Sequence, residues 1–359
     1  MIDTEPKLRD LIDRAKAAPR VAIDTEFVWE RTFYPKLGVV QLGFSEREGY
    51  LIDAVALPTL PHLGELLATR RTEKILHDAQ QDLAILARIT GVIPRRIFDT
   101  RRAAGFAALP STASLLSLLR AVVNIEIPKT EQRSNWLRRP LSSKQIAYAL
   151  NDVRFLFKLR DVLIARASEL GNLAFLEEEM QAFDSPEFTR EFSPLEVFHR
   201  IKSGRLRGDA PAVLLELVRW REGVARLRDI PRAHVLRDGD LLAIARRQPR
   251  NSRELAAVEG MPRSVSTRYR DGILEAIQRG RENAEVIEPK PSGKRRLTSE
   301  FRQRVSQRLD AIRKAAEAAG IDPALVATKA DVVELVSTEN DLFGGKPDVL
   351  QGWRQAFVT

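Results

Sequence analysis

Two carboxylates lie close together inside an apolar segment near the start of the chain. The segment VAIDTEF (21–27) places Asp24 and Glu26 between the apolar residues 21–23 and Phe27. Side chains i and i+2 of a strand project from the same face, so the pattern predicts two neighbouring acids on one face of a core strand. Such acids repel each other, resist desolvation and need a compensating partner. The alternative is an edge strand with both acids in water, which only further acids converging on the pair would exclude.

Asp82 is a further acid that could converge on this pair. It stands in HDAQQDLAIL (77–86), near the start of a predicted helix that directly follows a predicted strand. The alternative interpretation is an ordinary first-turn acid, which the helix dipole favours.

Tyr148 and Asp152 form the third candidate, in YALND (148–152) within a long predicted helix. They are four residues apart, so they share one face of that helix. The same face carries Phe155 and Leu159, while the main apolar stripe lies opposite, so we expect the helix to pack on both sides. The alternative is a surface Asp beside a partly buried Tyr.

Together these segments supply four carboxylates and one tyrosine hydroxyl. The chain has no cysteine, so any metal site must be built from oxygen or histidine. Carboxylate oxygens suit the hard cations Mg²⁺ and Mn²⁺. Two such ions ~4 Å apart stabilise the attacking and leaving oxygens of phosphodiester hydrolysis. The tyrosine hydroxyl could orient the attacking water.

Composition is compatible with a nucleic-acid enzyme. The 359 residues are 44% hydrophobic and 30% charged, as in a globular protein of two or three domains. No apolar run approaches the ~18 residues of a membrane span, and the N-terminus does not resemble a secretory signal, so we expect a cytoplasmic protein and no membrane contact. The 58 Lys and Arg against 49 Asp and Glu give a net charge of +9. This excess favours an anionic partner such as nucleic acid, the alternative being a solvated basic surface.

The elements that must position these acids form a mixed sheet with flanking helices. Apolar runs separated by turn residues predict strands at 21–27, 38–44, 49–55 and 73–79, and the helical interval before the fourth strand indicates a parallel crossover. Helices are predicted at 60–70 and 80–90. The strongest helix is predicted over 141–170, where Ser142 and Gln145 make a capping-box start. Beyond about residue 210 the sequence is helical throughout.

Three ordered motifs resemble the ribonuclease D family of DEDD 3′–5′ exonucleases. They are DTE (24–26), HDAQQDL (77–83) and YALND (148–152), and the spacing from Tyr148 to Asp152 is that of the tyrosine subtype. The sister subtype carries His one residue earlier, where this chain has Ala147. In the tail, DIP (229–231), LLAIA and SRELAAVEGM resemble the helicase-and-RNase-D C-terminal (HRDC) domain, and residues 320–336 resemble a degenerate second copy.

The resemblance implies an RNase H-like fold, a mixed five-stranded α/β sheet flanked by helices, followed by two small all-α HRDC-like domains. It also implies roles for the five matched residues. Asp24 bridges two divalent cations, Mg²⁺ or Mn²⁺, and Glu26 and Asp152 hold the first. Asp82 supports the second, partly through water, and Tyr148 positions the nucleophilic water. The predicted boundaries are 1–170 for the exonuclease domain, 171–209 for a partly helical connector, 210–287 for the HRDC domain, 288–297 for a linker and 298–359 for the second, degenerate HRDC-like domain.

The implied activity is 3′–5′ trimming of RNA with release of nucleoside 5′-monophosphates. The implied substrates are structured RNAs with 3′ tails, such as tRNA precursors, and no protein partner is evident. Two alternatives are a 3′–5′ exonuclease acting on DNA and a non-catalytic RNA-binding adaptor. The five intact residues argue against the adaptor, whereas no motif visibly reads the 2′-hydroxyl.

Five further residues are candidates for substrate contact. Phe33, Tyr34 and Gln41 could stack on or hydrogen-bond the terminal nucleotide, although core or strand-end roles are the alternative. Lys129 and Arg133 could bind substrate phosphates, or they could be solvated bases in an irregular segment.

Overall fold

The chain is described by a computed structural model that covers residues 1–127, 131, 133–204, 206–261, 263–283, 298–339 and 350–358. It divides into two compact units. The first comprises Met1–Val28, Leu37–Arg190 and Leu297–Thr359, and the second comprises Trp29–Lys36 and Glu191–Arg296. The predicted linker 288–297 and the candidate Lys129 lie outside the described residues. Within the described chain, no helix is long and apolar enough to cross a membrane.

A mixed five-stranded sheet forms the centre of the first unit, which confirms the predicted fold class. Its strands are β1 (Arg20–Val28), β2 (Lys36–Ser45), β3 (Glu48–Asp53), β4 (Glu73–Leu76) and β5 (Ile97–Asp99). Their order is β3-β2-β1-β4-β5. β2 and β3 are antiparallel, whereas β1, β4 and β5 run parallel, with Ala22 opposite Ile75 and Leu76 opposite Asp99. Val21, Ala22 and Ile23 are all buried because the central strand β1 is covered on both faces.

The fourth strand is shorter than predicted. It ends at Leu76 rather than at residue 79, because Asp78 has φ of 59° and turns the chain into the next helix. The side chain of Asp99 at the end of β5 accepts hydrogen bonds from the backbone N–H groups of Asp78 (3.3 Å) and Ala79 (2.8 Å) and so fixes this turn.

Among the described residues up to Arg190, the first unit has eight α-helices. They are α1 (Glu5–Ala17), α2 (Pro61–Ala68), α3 (Gln80–Thr90), α4 (Thr100–Ala104), α5 (Leu115–Leu118), α6 (Ser143–Arg154), α7 (Leu156–Glu169) and α8 (Leu173–Gln181). The capping box at the start of α6 is present as predicted, with reciprocal hydrogen bonds between Ser142 and Gln145.

The prediction of one continuous helix over 141–170 is wrong in one respect. It breaks at Phe155, which has φ −98° and ψ 0° and separates α6 from α7. No Pro or Gly marks the break. The two halves instead pack on different elements, α6 on β1 and β3, and α7 on α4 and β4. Tertiary packing therefore decides the break, not the local sequence.

The second unit is helical, with α9 (Pro194–Arg200), α10 (Ala210–Arg228), α11 (Arg232–Val235), α12 (Asp238–Arg247), α13 (Ser252–Ala256), α14 (Arg263–Arg268) and α15 (Arg270–Glu282). The core of this unit lies between α10 and α15, around Val213, Leu217 and Ile273. The segment Trp29–Lys36 belongs to the same unit.

The C-terminal helices α16 (Ser299–Ala318), α17 (Pro323–Val326) and α18 (Lys329–Glu339) pack within the first unit. Val305, Ile312 and Val332 share one hydrophobic core with the sheet. The backbone N–H of Ser111 also donates to the carboxylate of Asp322 at 2.6 Å. The region predicted as a domain of its own, 298–359, is thus helical in its described part but does not form a separate compact unit. Its relation to an HRDC domain stays a prediction.

Candidate active site

Three of the predicted acids converge in the first unit. Strand β1 presents Asp24 and Glu26 on one face, and helix α6, which packs against β1, brings Asp152 to them. One carboxylate oxygen from each of these residues lies within 4.8 Å of the others. All three side chains are half-buried, so they line a recess rather than an open surface. We call Asp24, Glu26 and Asp152 the three-acid cluster.

Asp82 adjoins the three-acid cluster by a different route. It lies in the first turn of α3 and is only 8% exposed. Its carboxylate oxygen Oδ1 accepts a hydrogen bond from the hydroxyl of Thr25, which is 6% exposed. Because Thr25 stands between Asp24 and Glu26 on the strand, its side chain leaves the opposite face of β1. The fourth acid is therefore joined to the same strand, but by its other face.

The Tyr148 hydroxyl donates a hydrogen bond to the carboxylate of Asp152, one helical turn further along α6. The ring of Tyr148 packs against buried Trp136, with ring centroids 6.1 Å apart. The tyrosine is thus fixed by an aromatic contact on one side and by an acid of the cluster on the other.

The electrostatics of the site are dominated by burial and mutual repulsion. Burial, followed by the charge of Asp82, raises the pKa of Asp24 well above its ordinary value. Burial and the charge of Asp152 raise the pKa of Glu26 to about 9. Burial raises the pKa of both Asp82 and Asp152 to about 7, against the hydrogen bonds from Thr25 and Tyr148, which lower it.

A cation is what such a group of acids needs in order to ionise at neutral pH. Within the described residues, none of the four acids forms an ion pair with Lys, Arg or His. A donor set made only of carboxylate oxygens suits Mg²⁺ or Mn²⁺, so the residues present fit the divalent cations that the family uses.

The acids open onto a cavity of about 570 Å³. Two residues that sequence reasoning did not assign to the site also line it, His77 after β4 and Arg101 in α4. The Nδ1 atom of His77 is 2.9 Å from the Thr100 hydroxyl, and burial lowers the pKa of the imidazole to about 4, so it is neutral at physiological pH. Arg101 forms an ion pair with Asp78. The signal in the sequence that could have identified both residues is their position just after the parallel strands β4 and β5, because ligands bind at the carboxyl ends of such strands.

The remaining candidates are distributed differently. Gln41 is fully buried, and its Nε2 donates to Asp24 Oδ2 at 3.4 Å, whereas its Oε1 has no hydrogen-bond partner among the described residues. Arg133 is exposed. Phe33 and Tyr34 lie in the second unit, where their backbone N–H groups donate to Asp229 at 3.1 and 3.2 Å.

Comparison with known proteins gives the same picture over the whole chain. Residues 1–166 match the family model described as 3′–5′ exonuclease, and residues 210–277 match the HRDC domain. Ribonuclease D of Desulfotalea psychrophila is 37% identical over 100% of this chain and 96% of its own length. Ribonuclease D of Pseudomonas paraeruginosa is 36% identical over 99% of this chain and 96% of its own.

A solved structure agrees with these relatives. The crystal structure of Escherichia coli RNase D, described as an exoribonuclease involved in structured RNA processing, matches with a TM-score of 0.88 at 27% identity. The match covers 99% of this chain and 95% of that chain. Together with the full-length relatives and the ordered exonuclease and HRDC matches, it confirms the family recognised from the motifs. The chain belongs to the ribonuclease D family and is a 3′–5′ exoribonuclease.

Proposed function

We propose that this exoribonuclease removes 3′-terminal nucleotides by hydrolysis that depends on two divalent cations, and that it releases nucleoside 5′-monophosphates. The observation that carries the proposal is the three-acid cluster, whose oxygens lie within 4.8 Å of one another. Bound there, the two cations would activate water and neutralise the charge that develops on the leaving 3′-oxygen. Mg²⁺ and Mn²⁺ are the ions that suit this donor set.

Each acid then has a defined role in the proposal. Asp24 contributes to both cation sites, and Glu26 and Asp152 complete the first. Asp82, held by Thr25, contributes to the second. The rigid strand β1 supplies two of these ligands and so fixes their spacing, which favours a pre-organised site.

Tyr148 orients the nucleophilic water in this proposal. Its hydroxyl contacts Asp152, so it lies beside the acids of the first cation site. Among the substrate-contact candidates, Gln41 touches an acid of the cluster, because its Nε2 donates to Asp24. Its side chain is fully buried and does not line the cavity, so this bond supports a role in holding Asp24 rather than a contact with the nucleotide. For Arg133 we propose contact with substrate phosphate. Phe33 and Tyr34 are proposed contacts of the terminal nucleotide with weaker support, since their backbone is bound to Asp229.

Structured RNAs with 3′ tails, such as tRNA precursors, are the proposed substrates. The match to an Escherichia coli enzyme described as processing structured RNA supports this choice. The HRDC match and the net charge of +9 provide further support for an RNA partner.

A hydrolysis assay tests the proposal. A 5′-labelled tRNA with a 3′ extension and a DNA of matched sequence are incubated with the enzyme in Mg²⁺, Mn²⁺ or EDTA. We expect a ladder shortened from the 3′ end, 5′-monophosphates as products, and no reaction in EDTA. Internal fragments, or full activity in EDTA, would contradict the mechanism, and equal cleavage of the DNA would contradict the RNA substrate.

A further inference from the structure

Thr25 is the residue of the DTE motif to which the exonuclease chemistry gives no task. Its neighbours Asp24 and Glu26 belong to the three-acid cluster on one face of β1, whereas its own side chain leaves the other face. The side chain is 6% exposed, and its hydroxyl donates to Asp82 Oδ1.

Asp82 has no other side-chain donor among the described residues. Its backbone is held separately, because the turn before α3 is fixed by hydrogen bonds from Asp78 and Ala79 to Asp99. That turn places the start of the helix but makes no hydrogen bond to the Asp82 carboxylate. The bond from Thr25 orients this carboxylate, since it occupies Oδ1 and leaves the other oxygen for the cavity that Asp82 lines.

We propose that Thr25 is a positioning residue that sets the second cation site through Asp82. Strand β1 then determines the place of three acids, two directly and one through the threonine hydroxyl. The three-acid cluster does not include Asp82, so it is formed without Thr25. Loss of the hydroxyl should therefore weaken one cation site and spare the other. This inference rests on the two-cation proposal.

The test measures Mn²⁺ binding to the RNA-free protein by calorimetry, with stoichiometry checked by electron paramagnetic resonance. We expect two Mn²⁺ ions in the wild type. In Thr25→Val, which keeps the shape and removes the hydroxyl, we expect one site to weaken by about 10- to 100-fold and the other to be unchanged. Thr25→Ser keeps the hydroxyl and should restore both sites.

Thr72→Val is the matched control. Thr72 is fully buried, and its hydroxyl bonds the backbone carbonyls of Ala15, Lys16 and Ala18, outside the cavity. This variant should lose stability but bind Mn²⁺ like the wild type. If Thr25→Val does not fold, Thr25→Ala provides the same removal of the hydroxyl without the branched side chain.

A double-mutant cycle with Asp82→Asn separates positioning from a general structural effect. If Thr25 acts through Asp82, Thr25→Val has no further effect on Mn²⁺ affinity in the Asp82→Asn background. Wild-type affinity at both sites of Thr25→Val, or equal weakening of both, would overturn the inference while the two-cation proposal stands. A wild-type protein that binds no divalent cation would overturn the two-cation proposal itself.

Discussion

Buried Glu179 and the half-buried three-acid cluster, both in the first unit, have opposite surroundings. Glu179 in α8 is 6% exposed, and it accepts hydrogen bonds from Arg354 (2.9 Å), the Trp353 indole (3.0 Å) and Arg102 (3.3 Å). The three-acid cluster has no ion pair at all among the described residues, and burial raises the pKa of each of its members. Arginine side chains thus neutralise Glu179, whereas no basic side chain among the described residues pairs with the acids of the cavity.

The difference separates structural from functional burial of charge. A buried acid with good partners costs little, and removing it leaves its partners unsatisfied. An acid cluster without partners destabilises the free protein and is retained only where a ligand compensates it. Glu179 binds the C-terminal residues Trp353 and Arg354 to α8. The acids of the three-acid cluster form no such ion pair between elements within the part of the chain that the structure describes.

The largest effect is expected from a substitution in the three-acid cluster. Asp24→Asn should lower kcat by about 10³-fold or more, because it removes the ligand shared by both proposed cation sites. The same change should raise the melting temperature of the metal-free protein, since it removes one of the repelling charges. Single-turnover hydrolysis and thermal unfolding in EDTA measure the two effects.

Asp161→Asn is the control for this prediction. Asp161 is a partly exposed acid that is paired with Arg20, and it lies outside the cavity. It should keep wild-type turnover. Reduced stability of Asp24→Asn in EDTA would show that the cluster supports the fold, and would remove the contrast with Glu179.

A substitution of Glu179 should have the opposite effects, a loss of stability with unchanged turnover. Glu179→Ala should lower the free energy of unfolding by about 3 kcal/mol, because Arg102, Arg354 and the Trp353 indole lose their shared acceptor. The kcat per folded molecule should not change, since the residue is not part of the cavity. Chemical denaturation and hydrolysis of a short oligoribonucleotide measure these quantities.

Glu177→Ala, on the exposed side of the same helix, is the matched control and should be close to neutral. Loss of kcat in Glu179→Ala at unchanged stability would mean that the C-terminal residues act on the reaction and do more than complete the core.

The pairs Asp24–Glu26 and Tyr148–Asp152 were predictable because each depends on local periodicity, whereas the meeting of Asp152 with the strand pair was expected from the set of motifs and the family resemblance. The period of a strand places Asp24 and Glu26 together, and the period of a helix places Tyr148 beside Asp152. The capping box at Ser142 is local in the same way. Each of these features needs only a few neighbouring residues and the geometry of one element.

Contacts between distant segments that no motif marks were not predictable. Thr25 and Asp82 are separated by 57 positions, and nothing in the sequence marks them as partners. The break at Phe155 follows from what α6 and α7 pack against. Helices α16 to α18 show an apolar face in the sequence, but an apolar face does not specify which core it enters.

Removing the C-terminal residues is for this reason a poor way to test an RNA-docking role of the tail. Deletion of 208–359 would remove the second unit and also residues such as Val305 and Trp353 from the core of the first. Changes at the surface of the second unit keep the first unit intact.

His77 extends the comparison to a base in the same cavity. Burial lowers the pKa of its imidazole from 6.5 to about 4, so the folded protein rejects a proton that the unfolded chain binds between these values. The neutral imidazole therefore contributes fully to the free energy of unfolding above pH 6.5. This contribution, about 2 kcal/mol after allowance for the partial exposure of the side chain, is lost as the pH falls toward 4.

In His77→Gln this loss should be absent. The difference in unfolding free energy between wild type and variant, measured from pH 7 to pH 4, isolates the histidine because the acids titrate in both proteins. A difference that does not vary with pH would show that the imidazole is not rejected by the folded protein.

The smallest effect is expected for Tyr148. Its hydroxyl is uncharged and is hydrogen-bonded to an acid of the three-acid cluster. Tyr148→Phe removes one hydrogen-bond donor, so we expect kcat to fall by about tenfold, the value of one such bond, with Mn²⁺ affinity nearly unchanged. Tyr50→Phe, whose hydroxyl donates to Glu48 at 2.8 Å away from the cavity, is the matched control and should keep full activity. Steady-state kinetics and calorimetry on the same preparations separate the two quantities. Equal losses in kcat and in Mn²⁺ affinity would mean that Tyr148 serves to hold Asp152 as a ligand, because orienting water affects the rate alone.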